Sequence, residues 1–267
     1  MNDYIRRMIE ELKLSVSETN PVSIPSDVNY EIFKVNENDD EKPCDQTKYR
    51  SLIGKLLFAS NTIRFDIAYS VNSLSRFIND PKEKHWIAAV KVVKYLSGTQ
   101  RYGICYNGNG DLNIYADSDW ASTPSDRKSI TGYIVTYAGA PISWRSKKQN
   151  VIALSTTEAE FMALTESIKE ALWLIYIFRD INVILKLPIV IYEDNLLCQK
   201  LLENPRFHNR TKHIDLKYKF TKDHIEAGTI KVESTNSADN LADMLTKPLP
   251  KIKFKHLRWL AGLRPLD

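Results

Sequence analysis

Hydrophobic positions along the chain follow two regimes. Between residues 47 and 99 they recur at helical spacing, and the pattern predicts helices over Tyr49–Asn61, Phe65–Ile78 and Pro81–Leu96. The third has the clearest start: Asp80 can cap it, Pro81 suits the first helical position, and Glu83 stands where a capping box places its acid. Trp86, Ala89, Val90, Val93 and Leu96 form its apolar face. Upstream, Tyr4, Ile5, Met8, Ile9, Leu12 and Leu14 predict one short amphipathic helix, followed by residues 16 to 48, a loosely held stretch rich in Pro, Ser, Asn and acid.

From Tyr102 the period shortens. "YGICY", "LNIYAD", "SITGYIVTY" and "PISWRS" are β-rich runs separated by "NGNG", "STPSDRK" and "AGA", the pattern of an antiparallel meander. A long helix (Thr157 to Arg179), a strand (Pro188 to Asp194), a short helix (Asn195 to Leu202), a polar and basic helix (Thr211 to Glu226), a strand (Thr229 to Ser234) and a last helix around Ala238 to Leu245 follow. The expectation is a mixed α/β layout with a five-stranded core.

Composition changes this picture little. The 267 residues are 43% hydrophobic and 26% charged, enough for a real core, and a net charge of +4 does not select a partner. Cys44, Cys105 and Cys198 are widely spaced and odd in number, which points to free thiols in a reducing compartment. No membrane span or secretory leader is expected, because the N-terminus is charged throughout and no window approaches about 18 uninterrupted apolar residues.

Acidic residues recur where side chains could meet. Asp117 closes "LNIYAD", Asp194 closes "PIVIYED", and Asp243 lies in the last helix with Asp239 one turn earlier. Glu158 stands in the first turn of the long helix, about 60° from Phe161 at 100° per residue, and is expected to lean toward the sheet. Carboxylates gathered at one sheet end repel one another unless hard divalent cations neutralise them, and two such ions suit phosphodiester hydrolysis. Taken singly, an acid at such a position is usually a turn or cap residue, and Ser155 with Glu158 fits the S-x-x-E capping box.

Six consecutive motifs carry a resemblance: "YADSDWAS", "DRKSITGYIVTY", "SWRSKKQNVIALSTTEAEFMAL", "IYEDN", "KHIDLKYKF" and "NLADMLTKPLP". They resemble, in order and spacing, the ribonuclease H domain of Copia-type retrotransposon Pol polyproteins. "YRSLIGKLLFASNTIRFDIAYSVNSLSRFI" and "HWIAAVKVVKYLSGT" are similar to the segment joining reverse transcriptase to that domain. The resemblance implies a ribonuclease H-like fold, a five-stranded mixed sheet flanked by helices. It implies a helical reverse-transcriptase remnant at 1–100, the ribonuclease H-like domain at 101–250 and a basic C-terminal tail at 251–267.

It further implies an endonuclease that cleaves the RNA strand of RNA·DNA hybrids, leaving a 3′-hydroxyl and a 5′-phosphate. Two Mg²⁺ ions, replaceable by Mn²⁺, would be held by Asp117, Glu158, Asp194 and Asp243, with Asp239 the rival of Asp243 and His213 an accessory residue. Asp119 and Glu160 rank below their neighbours, Glu160 because it lies about 200° around the helix from Glu158 and should face away. Ser118, Ser155, Thr157, Asn195, Arg210 and Lys212 are candidates for the substrate, the last two in a basic run that can follow a phosphate backbone. A zinc site built on Cys198, His208 and His213 has no C-x₂-C pair to support it.

No polymerase site is legible: the one Asp-Asp pair, Asp39-Asp40, lies in a polar run. The implied partners are the hybrid and the polymerase part of a Pol polyprotein. The implied location is the cytoplasm, within virus-like particles, or the nucleus. Phe65 and Leu196 depart from the family pattern. The alternative reading is a catalytically silent remnant that serves as a nucleic-acid-binding or structural Pol subunit.

Overall fold

The computed structural model describes residues 2–12, 20–28, 42–108, 110–122, 126–195 and 212–266, with backbone alone over 212–215. In chain order the elements are α1 (Asn2–Glu11), α2 (Gln46–Thr62), α3 (Ala68–Ser75), α4 (Glu83–Gly98), β1 (Tyr102–Ile104), β2 (Asn113–Asp119), β3 (Ile130–Tyr137), β4 (Ala140–Lys148), α5 (Thr156–Asp180), β5 (Ile189–Glu193), α6 (Lys212–Glu226), β6 (Ile230–Ser234), α7 (Lys251–Leu260) and β7 (Leu263–Pro265). Short 3₁₀ helices stand at Phe65–Ile67 and Leu241–Leu245. The helix expected at Asn195–Leu202 and most of the stretch 16–48 lie outside the described residues.

The chain divides into two compact units. One comprises Met1–Ile104, Lys247–Arg258 and Leu263–Asp267; the other comprises Cys105–Thr246 and Trp259–Gly262. In the first, the Asp45 carboxylate accepts the Thr47 and Lys48 amides at 2.9 and 3.0 Å and so fixes the start of α2. The helix expected from Phe65 to Ile78 is divided into a 3₁₀ turn and α3. Helix α4 begins at Glu83 rather than Pro81, because Nδ1 of His85, not the Glu83 carboxylate, accepts the Lys82 amide at 2.9 Å.

At the centre of this unit, Arg64 and Asp66 form a fully buried ion pair at 2.9 Å. Arg64 also donates to the Thr99 carbonyl at 3.2 Å and hydroxyl at 2.6 Å, while the Tyr95 hydroxyl donates to Asp66. Arg258 from α7 donates to Tyr95 at 2.8 Å. A charge pair this deep is tolerated only when its polar atoms are satisfied in this way. Residues 251–267, expected as a basic tail, are instead built in: Phe254 and Leu257 are buried, and β7 pairs antiparallel with β1. The charges of that segment concealed an apolar stripe one helical turn apart.

The second unit holds the mixed five-stranded sheet, in the order β4-β3-β2-β5-β6. β4, β3 and β2 are antiparallel, and β2, β5 and β6 are parallel. This is the α/β layout expected from the sequence. Helix α5 lays Phe161, Leu164, Ile168, Ala171, Leu174 and Phe178 against Ile114, Ala116, Tyr133, Val135, Ile189 and Ile191. Each large side chain so buried contributes about 1.5–3 kcal/mol, which fixes the rotation of α5 about its axis.

The last helix, expected over Ala238–Leu245, is the 3₁₀ helix Leu241–Leu245. Asn240 caps it by accepting the Ala242 amide at 3.1 Å and donates to the Ala116 carbonyl at 2.9 Å, which ties it to β2. A Cβ on Gly132 would meet Thr246 at 2.6 Å, Leu245 at 2.9 Å and the Ala242 carbonyl at 3.0 Å. Only a glycine lets this helix sit so close to β3. Among the described residues, no helix is long and apolar enough to cross a membrane.

Candidate metal centre

Asp117 lies in β2 opposite Gly132, and its carboxylate is buried. The Thr246 hydroxyl, at the end of the 3₁₀ helix, hydrogen-bonds to it and also reaches the Asp243 carbonyl at 3.2 Å. Asp117, Glu160 and Asp194 converge: each offers a carboxylate oxygen within 4.8 Å of the other two. This group draws on the middle strand, the long helix and the residue after β5. It is where the α/β unit concentrates its acids.

The structure corrects the choice on α5, because Glu160, and not Glu158, joins Asp117. The Glu158 carboxylate turns back to accept the Leu154 amide at 2.8 Å, and the Glu158 amide donates to the Ser155 hydroxyl at 3.2 Å. Glu158 therefore helps close the helix N-terminus: Ser155 caps as the S-x-x-E reading expected, while the Glu158 carboxylate takes the amide of Leu154 rather than that of Ser155. The rotation of α5 explains the exchange. At 100° per residue Glu160 lies within about 40° of Leu164, Ala171, Leu174 and Phe178, whereas Glu158 lies about 120° or more from all four. Phe161, used as the reference for the sequence expectation, stands at the margin of the buried face.

The electrostatics are those of a site short of positive charge. Burial, then the nearby charges of Glu193, Asp117 and Asp194, push the Glu160 carboxyl well above the usual range, opposed in part by the Ser118 hydroxyl. Oε2 of Glu160 is buried without a hydrogen-bond partner. A buried carboxylate oxygen with no donor is costly unless something else satisfies it. A hard cation with oxygen ligands is the fitting occupant.

Glu193 is a further acid that sequence reasoning missed. It is fully buried at the end of β5, and Oε1 accepts the Asn195 amide at 3.2 Å. Burial and the charge of Asp117 push its carboxyl well above the usual range. The signal was available: Ile189, Ile191 and Glu193 share one phase of the strand, and that phase faces the core.

The remaining candidates are placed as follows. Asp243 is fully buried in the 3₁₀ helix docked beside Asp117, while Asp239 is exposed. Neither belongs to the converging group. Asp119, the last residue of β2, is half-buried and also outside it. Ser118 and Thr157 are buried, Ser155 caps α5, and Asn195 is half-buried. Arg210, Cys198 and His208 lie outside the described residues, as do the side chains of Lys212 and His213.

With this geometry in hand, the relatives become informative. The Pol polyprotein from transposon TNT 1-94 of Nicotiana tabacum is 36% identical over 97% of this chain, which covers 20% of that protein. The Pol polyprotein from transposon RE1 of Arabidopsis thaliana is 39% identical over 83% of this chain, covering 15% of that protein. The chain belongs to the retrovirus-related transposon Pol polyproteins. It spans a fifth or less of the length of these relatives. No protein-family model matches this Pol chain. Among solved structures, ribonuclease H1 from the archaeon Halobacterium salinarum NRC-1 is similar to it at 16% identity and a TM-score of 0.38, over 51% of this chain and 95% of that one.

Proposed function

We propose that the acidic centre is the divalent-metal site of a Copia-type ribonuclease H that cleaves the RNA strand of an RNA·DNA hybrid. The observation that carries this reading is the convergence of Asp117, Glu160 and Asp194, one of them bearing a buried carboxylate oxygen that has no hydrogen-bond partner. Asp117, Glu160 and Asp194 would hold the ions, with Asp243 supplied by the docked 3₁₀ helix as the fourth ligand. When bound, a pair of Mg²⁺ ions, or Mn²⁺ in their place, supplies activation of water and stabilisation of the leaving oxygen.

The chain's own residues prepare that chemistry. Thr246 orients the Asp117 carboxylate through its hydroxyl. Glu160 and Glu193, whose carboxyls burial and neighbouring acids hold well above the usual range, would release protons on binding a cation. Water oxygen then bonds to phosphorus, the bond from phosphorus to the 3′ oxygen breaks, and the products are a 3′-hydroxyl and a 5′-phosphate. The test is cleavage of a labelled hybrid in Mg²⁺ or Mn²⁺ by wild type, Asp117→Asn and Glu160→Gln. Metal-dependent cutting by wild type and loss in both variants is expected; a folded wild type that cuts nothing overturns the reading.

A further inference from the structure

The last turns of α5 carry more apolar surface than the sheet can use. The run "ALWLIYIF", Ala171–Phe178, is apolar without interruption and therefore apolar round the whole helix. Ala171, Leu174 and Phe178 are buried against the sheet. Trp173 and Tyr176 lie about 100° or more from all three at 100° per residue, and each is 55% exposed. Ile177, Ile181, Ile184 and Leu187 extend the exposed surface beyond them, Ile184 at 97%. Beside it Ile175, Arg179, Val183, Ile184 and Leu187 line a groove of about 460 Å³. A helix that is apolar all round belongs in an interior. Single exposed apolar side chains are ordinary, but a contiguous patch marks an interaction surface.

Size and charge say what fits there. The exposed side chains together offer roughly 700 Å², more than the apolar patch of a typical monomer and close to the ~800 Å² that each partner brings to a stable interface. Arg179 stacks on Tyr176, its guanidinium carbon 5.0 Å from the ring centre, and Asp180 follows it. Their mutual contact is long, at 3.7 Å, and both side chains are 70% exposed, so either can take another partner. Opposite charges side by side on one patch are self-complementary under a two-fold axis, because a second copy presents them in reverse order. An axis beside Arg179 and Asp180 sets Trp173 and Tyr176 of one protomer against the Val183–Leu187 wall of the groove in its partner. Glu160 lies about 20 Å before Trp173 along the helix, at 1.5 Å per residue. A partner seated on this face leaves the acidic centre open.

We infer that this face joins two copies of the chain in a two-fold dimer, with Trp173 and Tyr176 seated in the partner's groove and Arg179 paired with the partner's Asp180. Burial of the two aromatic rings supplies the affinity, since large aromatic anchors dominate interfaces of this size. The charge pair sets the antiparallel register, because a parallel approach would bring like charges together. The dimer stands independently of what the acidic centre does.

The experiment is sedimentation equilibrium of the full chain across the micromolar range. Wild type is expected to pass from the monomer mass to twice that mass as concentration rises. Trp173→Glu with Ile184→Glu should raise the dimer dissociation constant at least about 30-fold, the scale on which an aromatic anchor is lost. Ile87→Glu, at an exposed position of α4, should change nothing. Arg179→Glu and Asp180→Arg should each weaken the dimer about tenfold by setting like charges together, and the two combined should restore the wild-type value. These charge reversals leave the apolar surface intact and decide the matter even if the glutamate pair fails to fold. A wild type that stays monomeric throughout overturns the inference and leaves the face to a different segment of the Pol polyprotein. A dimer indifferent to the glutamate pair and to both single reversals lies on another surface, and overturns it as well.

Discussion

At the scale of single residues, the exchange of Glu158 for Glu160 makes a sharp prediction. Glu160→Gln should lower hybrid cleavage by on the order of 10²-fold or more, as removal of a group that acts on developing charge does, with little loss of fold. Glu158→Gln should do the reverse. Cleavage stays within a few-fold of wild type, while a charged hydrogen bond to the Leu154 amide, worth about 1.5–3 kcal/mol, is weakened and the melting temperature falls. Parallel melts and hybrid assays decide it; equal loss of cleavage in both would restore Glu158 to the site. The raised carboxyls of Glu160 and Glu193 give a second prediction. The folded state keeps protons there that the unfolded chain releases near pH 4.5, so in EDTA stability is full below that pH and declines as pH rises toward the folded values. Urea midpoints measured from pH 4 to 8 should fall, and Glu160→Gln should flatten the curve.

At the scale of elements, the 3₁₀ helix Leu241–Leu245 is the least regular part of the site and the one most dependent on a single contact. Gly132→Ala places a methyl group where Thr246, Leu245 and the Ala242 carbonyl already stand. Overpacking of this kind costs about 1–3 kcal/mol, and the helix is expected to lift from β3, carrying the Thr246 hydroxyl away from Asp117. Hybrid cleavage should therefore fall more steeply than stability, whereas Leu164→Ala, in the core of α5, should cost about 2–5 kcal/mol and reduce activity only as folding is lost. Equal proportional effects in the two variants would show that the helix is not a positioning element. The strands were legible because their period of two is set by neighbours in sequence. The start of α4 was not, since His85 takes over its cap from a position that looks apolar or idle on a helical wheel.

At the scale of the whole molecule, the acidic centre should couple folding to divalent cations. Mg²⁺ at about 100 times its dissociation constant adds roughly 2.7 kcal/mol to an otherwise metal-free fold. Thermal melts should rise with Mg²⁺ and return with EDTA, and Asp117→Asn should remove most of the increment; a melting temperature indifferent to Mg²⁺ in wild type would count against a metal centre. The sequence by itself determined the strands of the mixed sheet, the long helix between them and the family, because hydrophobic period, turn residues and motif order are local properties. It also placed Asp117 on the strand β2 and Asp194 at the close of β5, where the alternation of side chains leaves little freedom, although β2 runs on two residues past Asp117. Only the tertiary structure decided which glutamate of "TEAE" meets them, since that depends on how α5 is rotated by its contacts from Leu164 to Phe178, well beyond the motif. The same holds for residues 251–267, whose charges suggest a tail and whose Phe254 and Leu257 become core only when there is an apolar surface to receive them.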